Sequence, residues 1–447
     1  MPRSIECAAK IAYVVPVTPA ENFLLHLPRF ALVGNEAYQP GLTRISNLLG
    51  SFGDPQYAFP SIHIAGTNGK GSTASMIAAI ATSSGLRTGL HTSPHLIELA
   101  ERMRVNGVAA PPEWISRTVD RFADEITRAE ASFFEATFAL SLLYFHEMEV
   151  DLAVVEVGLG GRFDATNILA PLLSVITQIG LDHQEILGDT VEKIAAEKAG
   201  IIKPETPVLT SVSDESVLEC IQDVAARCSA PIHVLGEQVE IRAHTDGTVT
   251  IRTPIETYDH LCLELKGTHQ QQNAAMAIRA VELVRPLIEI SQNAIDHGLR
   301  YVSREAGIRA RNEIIWNNPL IIVDVAHNSE AMIASLSAVE SENGQIDRVF
   351  LGLMLDKDVS TFARVLAAKN IPVSTLVINS ERALDADLLG ARLMGFGVQF
   401  VRTEVDVCIA LDEYVQSSSG EAKALILGSH LVAAEALKWA EALEPNI

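Results

Sequence analysis

Apolar residues along this chain fall into two textures. Short near-continuous runs, at Ile62, Ile64 and Ala65, at Leu152-Ala153-Val154-Val155-Glu156-Val157 and at 172–177, read as strands covered on both faces. Thr88 to His91 reads as the end of another strand. Segments with helical spacing alternate with them: 72–84, 112–129, 134–148 and 190–200, the last ending at a glycine and followed by Lys203-Pro204. Residues 1–59 carry mixed helical signals, at Asn22-Phe23-Leu24-Leu25 and at Gly41-Leu42-Thr43-Arg44-Ile45. From Val234 to Leu265 the texture changes to short β-like runs around the hairpin signal Thr245-Asp246-Gly247. Helices at 270–284 and 291–299 then close the first unit near Ser303. A second alternation follows, with strands at 320–323, 348–351, 374–378 and 424–427 and helices at 330–341, 359–368, 405–416 and 431–443. The predicted fold class is α/β: an N-terminal doubly wound domain (1–303) with a small β-rich insertion, plus a smaller C-terminal α/β domain (304–447).

Length and composition agree with this division. A chain of 447 residues exceeds one ordinary core, and 48% hydrophobic with 20% charged residues describes a well-packed globule. No apolar run approaches the roughly 20 residues of a membrane span, and the start, Met1-Pro2-Arg3-Ser4-Ile5-Glu6, has no apolar signal core. A cytoplasmic location and a monomer are expected. The five cysteines, Cys7, Cys220, Cys228, Cys262 and Cys408, are scattered and form no Cys-x-x-Cys pair, which predicts reduced thiols without zinc or disulfides. The net charge of −22 argues against nucleic acid and anionic membrane as partners. Any anionic ligand must therefore meet a local concentration of basic residues.

Ligands of open α/β sheets bind beyond the carboxyl ends of the strands, so the polar residues placed there are the candidates. The first such stretch is Gly66-Thr67-Asn68-Gly69-Lys70-Gly71-Ser72, between a strand and a helix. Its glycines let backbone amides curl around an anion, the helix aims its positive end at it, and Lys70 adds a full charge. The loop is P-loop-like, although its spacing departs from G-x-x-x-x-G-K-[ST]. Second, Glu156 lies inside an apolar strand and precedes a glycine-rich turn, which suits either a Mg²⁺ carboxylate across from Ser72 or a pair with a buried arginine. Third, Asp182-His183 is compatible with metal binding, proton transfer or a turn cap, and Glu197-Lys198 nearby reads as a solvated pair. Fourth, Asp324, His327 and Asn328 follow the first strand of the second domain. There they suit a nucleotide, an amino-acid carboxylate or a capped turn.

Together these stretches resemble the folylpolyglutamate synthase/dihydrofolate synthase family of Mur-ligase-like, ATP-dependent amide ligases, in order from about Gly41 to His430. His63 to Ser72 is similar to the family's phosphate loop, Thr92-Ser93-Pro94-His95-Leu96 to its Ser-Pro-His-Leu segment, and Gly158 to Asn167 to its Gly-Leu-Gly-Gly-Arg turn. Glu197-Lys198-Ala199-Gly200-Ile201 is similar to its modified-lysine helix. The resemblance implies that Lys70 contacts ATP phosphates, that Ser72, Ser93, Glu156, His183 and Lys198 hold Mg²⁺, and that Lys198 is carbamylated. It implies nucleotide contacts at Asn273, Arg311 and Asp324, and a catalytic segment at His327-Asn328. Ser429-His430 would lie near the glutamate site, and Ser132, Phe134, Asp164 and Ala165 would form a pterin pocket of the bacterial bifunctional type. Two departures stand out: Arg309-Ala310-Arg311 replaces the usual Pro-Gly-Arg, and Ser329 replaces the proline that usually follows His-Asn.

The implied reaction joins L-glutamate to dihydropteroate, and to folates, through an acyl phosphate. Three other readings stand beside it. One is a ligase that adds amino acids to a cell-wall nucleotide precursor, and another is a nucleotide-binding regulator without turnover. The last is a simple P-loop kinase, which the loop spacing and second domain disfavour.

Overall fold

The computed structural model describes residues 18–28 and 41–443; Cys7 and the chain start lie outside them. The first sheet has eight strands. In spatial order they are Val108–Ala109, Met103–Val105, Thr88–His91, Leu152–Glu156, Ser61–Ala65, Leu173–Ile176, Val208–Thr210 and Ile232–Val234. The six from Thr88–His91 onward are parallel, and the first two add an antiparallel edge. Ser61–Ala65 pairs with Leu152–Glu156 on one side and Leu173–Ile176 on the other, and all three are buried along their length. That placement explains their unbroken apolar character, since helices cover both faces.

The helix Lys70–Ser83 lies against one face together with Thr268–Val284 and Gln292–Arg300. It is buried almost all round, from Ser72 to Ala81. Gly298 permits the close crossing, because a Cβ there would stand 2.6 Å from the Ile80 backbone. The helices Pro112–Arg128 and Phe133–Glu147 belong to the core on the other face. A three-stranded antiparallel sheet, Glu240–Ala243, Val249–Arg252 and Thr257–Leu261, supplies the β-rich insertion, and its inward side chains join the first core.

The second sheet runs Glu313–Asn317, Leu320–Val323, Lys423–Leu427, Arg348–Leu351, Val373–Leu376 and Phe400–Glu404, parallel apart from its first strand. Sequence patterning anticipates four of these six strands. The two it misses are the edges, where one face is wet: Glu313–Asn317 buries only Ile315, and Phe400–Glu404 is mostly accessible. It also passes over the helix Ala386–Gly395, which Asp385 caps by accepting from the Leu388 amide. No helix among the described residues is long and apolar enough to cross a membrane.

Candidate active site

Four strands of the first sheet deliver their carboxyl ends to one place: the 66–72 loop after Ala65, Thr92-Ser93 after His91, Glu156 itself, and Thr177 after Ile176. The loop is stapled from the next strand. The Thr67 amide donates to the Gln178 carbonyl at 2.7 Å, and Thr177 Oγ1 donates to the Asn68 carbonyl at 2.8 Å. Two glycines are required by geometry. Gly66 has φ +152° and Gly69 φ +87°, and an added Cβ would lie 1.8 Å from Thr177 Oγ1 and 2.5 Å from Asn273 Oδ1 respectively. Gly69 begins the helix Lys70–Ser83 with no side chain capping its first amides, whereas Asn328 caps the helix Ser329–Asn343. An uncapped helix start with a lysine in its first turn suits a phosphate group.

Charges gather around this loop. Lys70 Nζ donates to the Thr67 carbonyl and stands 4.0 Å from Glu156 Oε1. Glu156 is buried and accepts from the Ser93 amide at 3.3 Å. Burial raises its pKa, against the pull of Lys70, the Ser93 amide, Arg311 and Arg102. Gly71 separates Lys70 from Ser72, and its open side faces Arg311 Nη2 and Glu156. The buried Glu156 carboxylate, which its lysine approaches only to 4.0 Å, and the hydroxyl oxygens of Ser72 and Ser93 are donors of the kind that fits Mg²⁺.

Lys198 is buried, not solvated. Its partner in sequence, Glu197, turns outward to Arg162 at 3.2 Å, while Lys198 Nζ donates to the Gly66 carbonyl at 2.7 Å. Burial, and then Lys70, lower its pKa to about 7, although Asp182 and Asp164 oppose the shift. A lysine amine that is substantially neutral near pH 7 fits carbamylation, because only the free amine is nucleophilic.

The second domain meets the loop from the opposite side. Asn328 donates to Asn68 Oδ1 at 2.9 Å, and Asn68 donates to Glu330 at 3.1 Å. Lys357 Nζ donates to Asp182 Oδ1 at 2.5 Å, and His327 Nε2 lies 3.7 Å from Asp182 Oδ2. Burial pushes Asp182 up, but His327, His183 and Lys357 hold it well below the usual carboxylate range. His183, at φ +50°, forms a possible cation cluster with Asp182 and Asp356; burial lowers its pKa to about 4, which keeps the imidazole neutral. Asp324 accepts from the Asn312 and Ala326 amides at 2.8 and 2.7 Å, and burial raises its pKa. His430, beside His327 at 5.6 Å between ring centres, is pushed well down by burial and by the surrounding His327, Arg311, Lys70 and His95.

Comparison with known proteins matches this arrangement. Residues 64–281 fit the family described as Mur ligase middle domain, and residues 310–430 fit the Mur ligase glutamate ligase domain. A Bacillus subtilis dihydrofolate synthase/folylpolyglutamate synthase is 37% identical over 330 residues, covering 70% of this chain and 76% of its own. The chain belongs to the folylpolyglutamate synthase/dihydrofolate synthase family. A Haloferax volcanii relative, described as a probable bifunctional folylpolyglutamate synthase/dihydropteroate synthase, is 33% identical across 96% of this chain, which spans about half (51%) of that longer protein. The Escherichia coli FolC structure in complex with DHPP and ADP superposes with a TM-score of 0.82 at 28% identity, covering 95% of this chain and 98% of that one. The Mycobacterium tuberculosis folylpolyglutamate synthase complexed with ADP and AMPPCP gives 0.79 at 29% identity, covering 91% and 96%.

In this family member the residues of the expected pterin pocket lie around the turn after Glu156. Phe134 packs where a Cβ on Gly158 would stand, 2.5 Å from its ring. Asp164 accepts from the Leu159 amide and from Thr166 through both its amide and its hydroxyl; it is buried, as is Ala165. Ser132 is occupied otherwise, in a capping box with Glu135 that starts the helix Phe133–Glu147. Asn273 accepts from Thr73 and donates to Gln270, whose amide reaches Ser72 Oγ. Ser429 accepts from the Leu431 amide at the start of the last helix.

Sequence reasoning passed over Thr177, Gln270 and Lys357. Thr177 and Lys357 both follow strand ends, and Lys357 sits in the charged run Asp356-Lys357-Asp358 beyond Arg348–Leu351. The carboxyl-end rule, applied to every strand, finds both.

Proposed function

We propose that this chain ligates L-glutamate to dihydropteroate, and to folates ending in glutamate, with ATP as the energy source. The observation that carries this reading is the meeting of both domains at the 66–72 loop, where Lys70, Glu156, Lys198, Arg311 and His327 converge from separate elements. The relatives named for these activities, and the FolC structure described with DHPP and ADP, support the choice of substrates. In the reaction, the acceptor carboxylate attacks the γ-phosphorus and ADP leaves. The glutamate amine then attacks the acyl-phosphate carbonyl, an amide C–N bond forms, and phosphate departs.

The chain's own residues supply position and charge. Lys70 and the uncapped amides hold the transferring phosphoryl group, and Arg311, Asn273 and Asp324 hold the nucleoside side. His327 donates from Nδ1 to the Val325 carbonyl at 3.0 Å, which fixes the ring and leaves Nε2 on the Asp182 side of the cleft, where the amine proton is received. Phe134, Asp164 and Ala165 seat the pterin, Ser132 fixes the helix that carries Phe134, and Ser429-His430 face the glutamate. Mg²⁺ held by Ser72, Ser93 and Glu156, and by His183 with carbamylated Lys198, would neutralise charge on the phosphates. We place the domain division at residues 303/304 and the enzyme in the cytoplasm as a monomer.

The Mur ligase descriptions of both matched domains favour one competing reading, amino-acid addition to a cell-wall nucleotide precursor. Glutamate-dependent ADP release with dihydropteroate, reduced folates or a muramyl nucleotide, assayed side by side, separates the two. Turnover with the muramyl substrate alone overturns the folate assignment.

A further inference from the structure

The cleft at the phosphate loop does not end there. An inner cavity beside Gly71, Ser93 and Glu156 opens into an outer one of about 320 Å³ that reaches Leu437 and Glu441 on the last helix. Leu96, Glu101, Arg104, Gly307 and Arg309 line both cavities and so form the neck between them. The groove thus runs from the reaction centre toward the outside, between the antiparallel edge of the first sheet and the C-terminal helix.

At this neck Glu101 and Arg309 make short polar contacts and Arg104 does not. Glu101 accepts three backbone amides, those of Leu96, Ile97 and Glu98, at 2.8 to 2.9 Å. Arg309 donates to Glu313 at 2.7 Å and to Glu441 at 3.0 Å. Arg104 has no carboxylate at ion-pair distance among the described residues; its one hydrogen bond goes to the Gly107 carbonyl at 3.4 Å. The guanidinium also threads past Gly307, where a Cβ would lie 2.7 Å from Nη1 and where φ is +74°. Burial and the neighbouring Arg309 lower its pKa, while Glu101 and Glu98 oppose them from a distance. A partly buried guanidinium with spare donors and no carboxylate in direct contact is placed to take an incoming anion. The planar fork of arginine matches a carboxylate in two-point geometry.

We propose that Arg104 is a binding residue for a carboxylate of a glutamyl group at the neck of this groove. That inference rests on the ligase reading above and adds a subsite to it. The carboxylate comes either from the incoming L-glutamate or from the glutamyl tail of a folate acceptor. Dihydropteroate has no tail, so the acceptor distinguishes these sources.

The test compares the wild-type chain with Arg104→Gln. Trapping with hydroxylamine in place of glutamate reports acyl-phosphate formation: if the wild type forms no hydroxamate from dihydropteroate or tetrahydrofolate with ATP, the ligase reading itself fails. With that reaction intact in both proteins, and KM for ATP unchanged, Arg104→Gln is expected to raise KM for glutamate about ten-fold or more with dihydropteroate as acceptor. That result assigns the incoming amino acid. A rise confined to KM for tetrahydrofolate, absent with dihydropteroate, assigns the tail instead. Wild-type KM values for glutamate and for both acceptors overturn the proposal. Should Arg104→Gln fail to bind ADP, Arg104→Lys replaces it, since it keeps the charge without the fork. A smaller rise in the same KM is expected of it, and wild-type values again overturn the proposal.

Discussion

Lys198 offers the sharpest test of the site. Its pKa of about 7, against 10.5 for an ordinary lysine, arises from burial and from Lys70. The gap corresponds to about 5 kcal/mol disfavouring the ammonium form. At pH 7.5 roughly three-quarters of the side chain is free amine, against about one part in a thousand for an unperturbed lysine. Nucleophilic attack of that amine on CO₂ would form an N–C bond and release a proton, turning a neutral group beside the Gly66 carbonyl into an anion at the phosphate loop. The ordinary ammonium could not ligate a metal, so activity should depend on this conversion. Since the amine is protonated below its pKa, ADP release should fall as pH drops through about 7 and level off above it. Lys198→Ala should lose the reaction, and formate or acetate should restore part of it by supplying a carboxylate to the vacated space. In protein equilibrated with ¹³C-bicarbonate, a carbamate carbon signal should appear in the wild type and vanish in Lys198→Ala. Full activity of Lys198→Ala without added carboxylate refutes the reasoning.

Three further outcomes are expected. Lys70→Ala should abolish ADP release that depends on both pteroate and glutamate; retained turnover would sink the loop assignment. Gly66→Ala places a Cβ 1.8 Å from Thr177 Oγ1 and should eliminate ADP binding in calorimetry while the chain stays folded, an idea that wild-type affinity would discard. His63 and His91 are buried, and burial lowers both to about 3 from 6.5, so the native state stays neutral while the unfolded chain takes up protons below pH 6.5. Stability should therefore decline from pH 6.5 toward pH 3, by about 2 kcal/mol per histidine at pH 5. Urea unfolding of His63→Gln at the two pH values checks this, since its pH dependence should be shallower than that of the wild type.

Much of the architecture was legible because the parallel strands carry unbroken apolar runs, as at Leu152–Glu156, and because the loop at 66–72 joins strand to helix in a recognisable order. The edge strands Glu313–Asn317 and Phe400–Glu404 were not legible, because strands wet on one side mix polar and apolar residues without a clean alternation. At the site, Glu156 announced itself as an acid within an apolar strand. Lys198 did not: beside Glu197 it looks like any exposed pair, and only the fold shows that the two side chains part, one to Arg162 and one to the Gly66 carbonyl. Lys357 was hidden for another reason. Its meaning comes from Asp182, 175 residues earlier, and no local pattern encodes that pairing.

The charge distribution joins these observations. A chain of net charge −22 repels a nucleotide triphosphate at range, yet salt screens such effects beyond about 8–10 Å, so the nearest charges decide binding. Those charges are largely cationic: Lys70, Arg311 and Arg102 all act on Glu156, and Lys70 and Arg311 both depress His430. Cations this close oppose one another, and the second domain adds Lys357, which Asp182 holds across the cleft. The assembled site thus interleaves cations and carboxylates across the cleft, Lys70 and Arg311 beside Glu156 and Lys357 beside Asp182 and Asp356. A bound polyphosphate would add negative charge beside those cations, and a ligand that binds the folded chain alone stabilises it through linkage. At the neck of the groove Arg104, with no carboxylate of the chain in direct contact among the described residues, is the point proposed for a carboxylate rather than a phosphate. One acidic chain can therefore hold two anionic reactants a short distance apart, each at its own cationic point, while the rest of its surface stays hostile to anions.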